Sequence, residues 1–155
     1  VFSECSSLDN VVIPASVTEI GDDAFSYCYS LTQIDIPDSV GYIGSYAFRS
    51  CESLASVHLP SGLSDISESL FAFCGSLEDV VIPEGAGSIG YDAFEYCENL
   101  KTITIPASVT YISYSAFDGC EDVTLVVERD SYAYEYAKNN YFDYTYKDAN
   151  DWLFD

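Results

Sequence analysis

Residues 31–51 read LTQIDIPDSVGYIGSYAFRSC, and the same frame returns at residues 100–120 as LKTITIPASVTYISYSAFDGC. Within the first of these, Ile34 and Ile36 fall on one face while Gln33 and Asp35 fall on the other, the period-two alternation of a short, half-buried strand. Pro37 has no N–H to give a ladder and stops that strand. Beyond it, Val40, Ile43, Ala47, Phe48 and Cys51 are apolar at spacings that suit an irregular or short helical return. Gly44 lies at the corner, where a positive φ favours glycine; Gly21 and Gly90 share its column, and Ser67 and Ser113 replace it.

Working outward, the frame recurs every 23 residues. Cys5, Cys28, Cys51, Cys74, Cys97 and Cys120 form one column, and Phe2, Phe25, Phe48, Phe71, Phe94 and Phe117 form another. Leu8, Leu31, Leu54, Leu77 and Leu100 share the period, as do Pro14, Pro37, Pro60, Pro83 and Pro106. Several columns with one fixed period are the signature of a solenoid. One unit buries too little to offset the ordering of its own chain, so neighbouring units must stack and fold cooperatively.

The pattern Leu-x-x-Ile-x-Ile-Pro-x-Ser-Val-x-x-Ile-Gly-x-x-Ala-Phe-x-x-Cys, nearly intact over 31–51 and 100–120, resembles the BspA-type (treponemal) leucine-rich repeat over about residues 1–125. Leu70 in the alanine column and Ala86 in the valine column depart from it. The resemblance implies an α/β fold: a right-handed leucine-rich repeat solenoid with short parallel β-strands on one face, found in secreted or surface-anchored bacterial and protist proteins that bind host proteins or other cells. An extracellular or cell-surface place is therefore expected for this chain.

Three segments are expected. Residues 1–125 form the solenoid. Residues 126–147 form a C-terminal helix–strand cap, with Asp130 or Ser131 capping a helix through Asn140, Ala133, Tyr136, Ala137 and Asn140 on one helix face, and Phe142, Tyr144 and Tyr146 alternating as a strand. Residues 148–155 are an acidic tail or linker containing Trp152 and Phe154. The chain enters the pattern at its last third, without an initiator Met or a signal-peptide pattern, so further repeats are expected upstream. An open first layer would leave a strand edge that favours pairing with another chain.

Composition narrows the function classes. With 155 residues, 48% of them apolar, the chain can bury a core, which excludes disorder. Against 26 Asp and Glu stand 5 Lys and Arg, a formal charge of −21 that opposes nucleic acid and anionic membrane surfaces. No apolar run reaches the roughly 18 residues of a membrane span, so no membrane insertion is expected.

Six cysteines in one inward column read as buried free thiols packing as small apolar groups. Zinc needs ligands converging from several directions, which a linear stack and one histidine do not supply. Disulfides between adjacent coils would need distorted geometry. His58, the sole histidine, lies between Val57 and Leu59 and points outward while Cys51 points inward, so the two make no nucleophile–base pair. No phosphate-binding, dinucleotide or nucleophile-elbow motif occurs, and neither an enzyme nor a cofactor is expected. Acid pairs such as Asp22-Asp23 and Glu121-Asp122 match no calcium loop and read as solvated charge.

What remains is a surface. The outward strand positions are Asn10, Val12, Gln33, Asp35, Ser56, His58, Asp79, Val81, Thr102 and Thr104, a polar, mildly acidic row of the kind with which solenoids bind. Of the 14 tyrosines, Tyr27, Tyr42, Tyr46, Tyr91, Tyr96, Tyr111 and Tyr114 fall outside the apolar columns; Tyr42, Tyr46, Tyr91, Tyr111 and Tyr114 are the expected flank contacts. The expectation is a non-catalytic recognition module that binds another protein, in adhesion or host interaction, through the sheet-face residues Gln33 to Thr104. A structural spacer in a larger surface protein or enzyme, and a neutral-glycan binder, stand as alternatives.

Overall fold

The 23-residue frame winds into a parallel β-solenoid of about six turns in the computed structural model, which describes residues 1–148. In chain order the elements are β1 (Glu19–Ile20), β2 (Gln33–Asp35), β3 (Tyr42–Ile43), β4 (Ser56–His58), β5 (Asp65–Ile66), β6 (Asp79–Val81), β7 (Ser88–Ile89), β8 (Thr102–Ile105), β9 (Tyr111–Ile112), β10 (Thr124–Val127), α1 (Tyr132–Asn139) and β11 (Asp143–Tyr146). The expected ladder forms from β2 with β4, and from β6, β8, β10 and β11, all parallel.

Of the irregular or short helical return expected from the sequence, the irregular form is present, and it adds a second parallel ladder, β1 with β3 and β5 with β7 and β9, made of two-residue strands. Two sequence expectations need correction. The left-handed corners do not lie at the glycines of the Gly44 column. They lie immediately before each cysteine, at Glu4 (φ 63°), Tyr27 (61°), Ser50 (58°), Phe73 (63°), Tyr96 (52°) and Gly119 (77°), and again at Asp23, Tyr46, Ser69 and Asp92. These positive φ values break any helical path. Gly44 is needed instead for closeness, since a Cβ there would lie 2.7 Å from the Gly21 carbonyl carbon and collide with the Asp22 backbone. Asn10–Ile13, expected as the first strand, joins no ladder.

The core is a set of columns. Phe25, Phe48, Phe71, Phe94 and Phe117 stack with ring centroids 5.3 to 5.7 Å apart and planes within 20° of parallel, and Phe2 joins at 5.4 Å. Beside them run the thiols, all free. From Cys28 onward each Sγ donates to the carbonyl of the phenylalanine 26 residues earlier: Cys28 to Phe2 (3.2 Å), Cys51 to Phe25 (3.2 Å), Cys74 to Phe48 (3.1 Å), Cys97 to Phe71 (3.1 Å) and Cys120 to Phe94 (3.0 Å). Cysteine therefore fills a small apolar site and also ties one coil to the next. Burial pushes the Cys51 thiol up to about 12, and Cys74 and Cys97 rise for the same reason.

At the C-terminal end the register shortens by one residue, so that Thr124 pairs with Thr102 and Val127 with Ile105. Alternation survives, with Leu125 and Val127 buried and Thr124 and Val126 outward. Ser131 caps α1 by accepting the Tyr134 N–H at 3.1 Å. Ala133, Tyr136 and Ala137 are buried, and Asn140, expected on the same face, is exposed as the C-cap. The Tyr136 ring meets the edge of Phe117 at 6.4 Å, and its hydroxyl donates to the Ser113 carbonyl at 3.1 Å. The acidic tail lies outside the described residues beyond Asp148.

Candidate functional site

Parallel registration stacks the outward residues in rows. One row runs Gln33, Ser56, and then Asp79 and Thr102; the next runs Asp35, His58, and then Val81 and Thr104. Gln33, Asp35, Ser56, His58, Asp79 and Val81 are exposed, and Thr102 and Thr104 are half-buried. The rows continue onto Thr124, Val126, Asp143 and Thr145, which sequence reading missed. The one-residue register change and the intervening helix hide these positions from a strict 23-residue count.

The face is two panels, because no ladder joins β4 to β6. In the second panel the Thr102 hydroxyl donates to Asp79 Oδ1 at 2.6 Å, so that carboxylate is already engaged. In the first panel, Asp35 and His58 sit opposite one another in the ladder. Asp38, just past the strand, accepts the Ser61 N–H on Oδ1 at 2.8 Å, and that hydrogen bond holds its carboxyl below the usual range.

The first panel also opens inward. Asn10–Ile13 runs beside β2, yet no backbone hydrogen bond joins the two among the described residues, whereas Ala55 N–H reaches the Thr32 carbonyl at 2.9 Å in the next coil. The unpaired seam is a groove of about 810 Å³, lined by Asn10–Ile13, Gln33–Asp38 and Ser56–His58. Val12 is 82% exposed at its rim.

The tyrosines divide. Tyr91 and Tyr114 meet edge to face at 6.0 Å, and the Tyr111 hydroxyl beside Tyr91 pushes that phenol above its usual range. All three are exposed and form one patch. Tyr42 stands apart on β3, exposed. Tyr46 is half-buried and donates to Glu68 Oε1 at 2.6 Å, a contact that raises its pKa. Tyr134, Tyr144 and Tyr146 make a second cluster between α1 and β11, with the Arg129 guanidinium 4.0 Å over Tyr146.

His58 is exposed on the face while Cys51 is fully buried, so they do not form a nucleophile–base pair. Among the described residues no three His, Cys, Asp or Glu side chains converge as a metal site, and no helix is long and apolar enough to cross a membrane.

The family profile described as BspA type leucine-rich repeat region matches residues 1–124 in six copies. Solved structures agree. A leucine-rich cell surface protein from Faecalibacterium prausnitzii is 40% identical with a TM-score of 0.75, over 81% of this chain and 33% of its own. A leucine-rich repeat protein from T. pallidum is 36% identical with a TM-score of 0.72, over 74% of this chain and 56% of its own. The pneumococcal vaccine antigen PcpA, at 19% identity and a TM-score of 0.67 over 86% of this chain and 40% of its own, shares the fold. The chain thus spans between a third and somewhat over half of these proteins. None of the curated protein sequences matches it.

Proposed function

The chain belongs to the BspA-type leucine-rich repeat family, and from that premise we propose that it is a non-catalytic, extracellular recognition module that binds another protein through its sheet face. The observation that carries this reading is the pair of registered outward rows, whose first panel leaves Gln33, Asp35, Ser56 and His58 exposed beside an open groove. Solenoids recognise partners with such continuous rows, because each coil adds one side chain per row at fixed spacing. The cell-surface description of the F. prausnitzii protein supports an extracellular place. The exposed patch of Tyr91, Tyr111 and Tyr114 supplies a flank contact of large area and low entropy cost.

The test immobilises the chain and a triple variant, Asp35→Ala, His58→Ala and Asp79→Ala, and screens both against a panel of secreted and cell-surface proteins. A partner held by the parent chain and lost by the variant, with unchanged circular dichroism, supports the reading. Equal capture by both would move the contact off the sheet face. Binding only on a glycan array would assign a sugar instead, and silence in every screen would favour a spacer.

A further inference from the structure

The seam between Asn10–Ile13 and β2 has the shape and chemistry of a strand-docking cleft. Strand β2 pairs with β4 and with nothing on its other side. In a parallel ladder alternate residues face opposite neighbours, and Thr32 and Ile36 are bonded toward β4, so the backbone N–H and C=O groups of Gln33 and Asp35 face the seam. Such an edge pairs readily with an added strand.

The side chains around that edge carry one sign of charge. Asp35 lies on it and Asp38 lies just beyond, its carboxylate fixed by the Ser61 N–H. Neither Lys nor Arg lines the groove. Elsewhere, Lys101 pairs with Glu78, Arg129 with Asp148, Lys138 with Glu135, and Lys147 with Glu84 and Glu128. Arg49 is held against the rings of Phe73 (5.5 Å) and Tyr46 (5.8 Å). An incoming cation therefore displaces no internal partner. Exposed Val12 and half-buried Val57 add an apolar surface beside the acids.

Resting on the sheet-face reading above, we propose that the groove receives an extended, cationic segment of a partner protein, which adds a strand to the open edge of β2 and places Lys or Arg side chains against Asp35 and Asp38. Backbone pairing supplies the docking, and the two carboxylates supply the selectivity.

The probe is a capped peptide of three Lys-Val repeats, titrated into ¹⁵N-labelled protein and followed by NMR. Its Glu-Val counterpart and a version N-methylated on alternate residues serve as controls. The expected result is that shifts concentrate on Gln33–Asp38 and Ser56–His58, and that both controls fail to bind. Asp35→Asn with Asp38→Asn should weaken the Lys-Val peptide about tenfold, two surface ion contacts combined. His58→Lys, which places a cation in the groove, should weaken it similarly. Glu98→Gln with Glu121→Gln makes the same change in net charge at exposed sites outside the groove and should leave affinity within about twofold. Shifts spread over the acidic surface, equal loss in the two double variants, or binding by the N-methylated peptide would each overturn the proposal. If a protein partner found in the capture screen needs the sheet face yet ignores Asp35→Asn with Asp38→Asn, this inference falls while the recognition reading stands.

Discussion

Replacing Phe71 by alanine removes one ring from the middle of the phenylalanine column. Its neighbours Phe48 and Phe94 lie 5.6 Å away on either side, and the side chain is fully buried. Burial of this kind puts Phe→Ala losses at about 3–5 kcal/mol, and the two ring contacts place Phe71 in the upper part of that range, near 4 kcal/mol. Phe2 is the internal comparison: it is 42% exposed and has a single ring neighbour, Phe25 at 5.4 Å. Its truncation should cost about 1 kcal/mol, in keeping with partial burial. Because each coil contacts only its neighbours, the Phe71→Ala gap also weakens the coupling between the two halves of the stack. Guanidinium unfolding followed by circular dichroism should therefore show a lower midpoint and a shallower transition. A loss below about 1.5 kcal/mol at Phe71, or equal losses at Phe71 and Phe2, would refute the claim that stacking between coils holds the fold.

Other perturbations probe separate features. Gly44→Ala should destabilise by about 2–4 kcal/mol, because its Cβ would strike the Gly21 and Asp22 backbone, whereas Gly21→Ala meets nothing within 4 Å and should be neutral in the same unfolding assay. Thiol titration of the native protein should show fast reaction at Cys5 alone, the one half-buried cysteine, and six reactive thiols after unfolding without reductant; fewer than about five would mean cross-links between coils. Asp38 has a depressed pKa, so its ionised form adds stability above the ordinary aspartate pKa of about 3.9, and that contribution is lost as pH falls through the lower folded value. Asp38→Asn should accordingly differ from the parent at neutral pH and converge with it in strong acid when melting temperatures are compared across pH.

The columns were legible in the sequence because stacking demands the same side chain at the same step: Phe48, Cys51 and Leu54 each repeat, and burial follows. The outward rows were legible for the same reason, through the alternation around Ile34 and Ile103. Three features were not. The second ladder consists of two-residue strands such as Tyr42–Ile43, too short to display alternation. The left-handed corners before the cysteines are held by Glu4, Tyr27, Ser50, Phe73 and Tyr96, with glycine only at Gly119, so residue type gave almost no signal. The groove depends on hydrogen bonds that Asn10–Ile13 does not make, and the only outward difference between Asn10-Val11-Val12-Ile13 and Gln33-Ile34-Asp35-Ile36 that bears on pattern, Val12 in place of Asp35, does not foretell a missing backbone ladder.

The thiol-to-carbonyl links all join a coil to the one before it, and none skips a coil. A whole 23-residue unit could thus be spliced in or deleted at mid-stack with each sulfur past Cys5 still finding an acceptor. Duplicating or deleting genetic cassettes would lengthen or shorten such a molecule, and its outward rows with it, without disturbing the sulfur ladder.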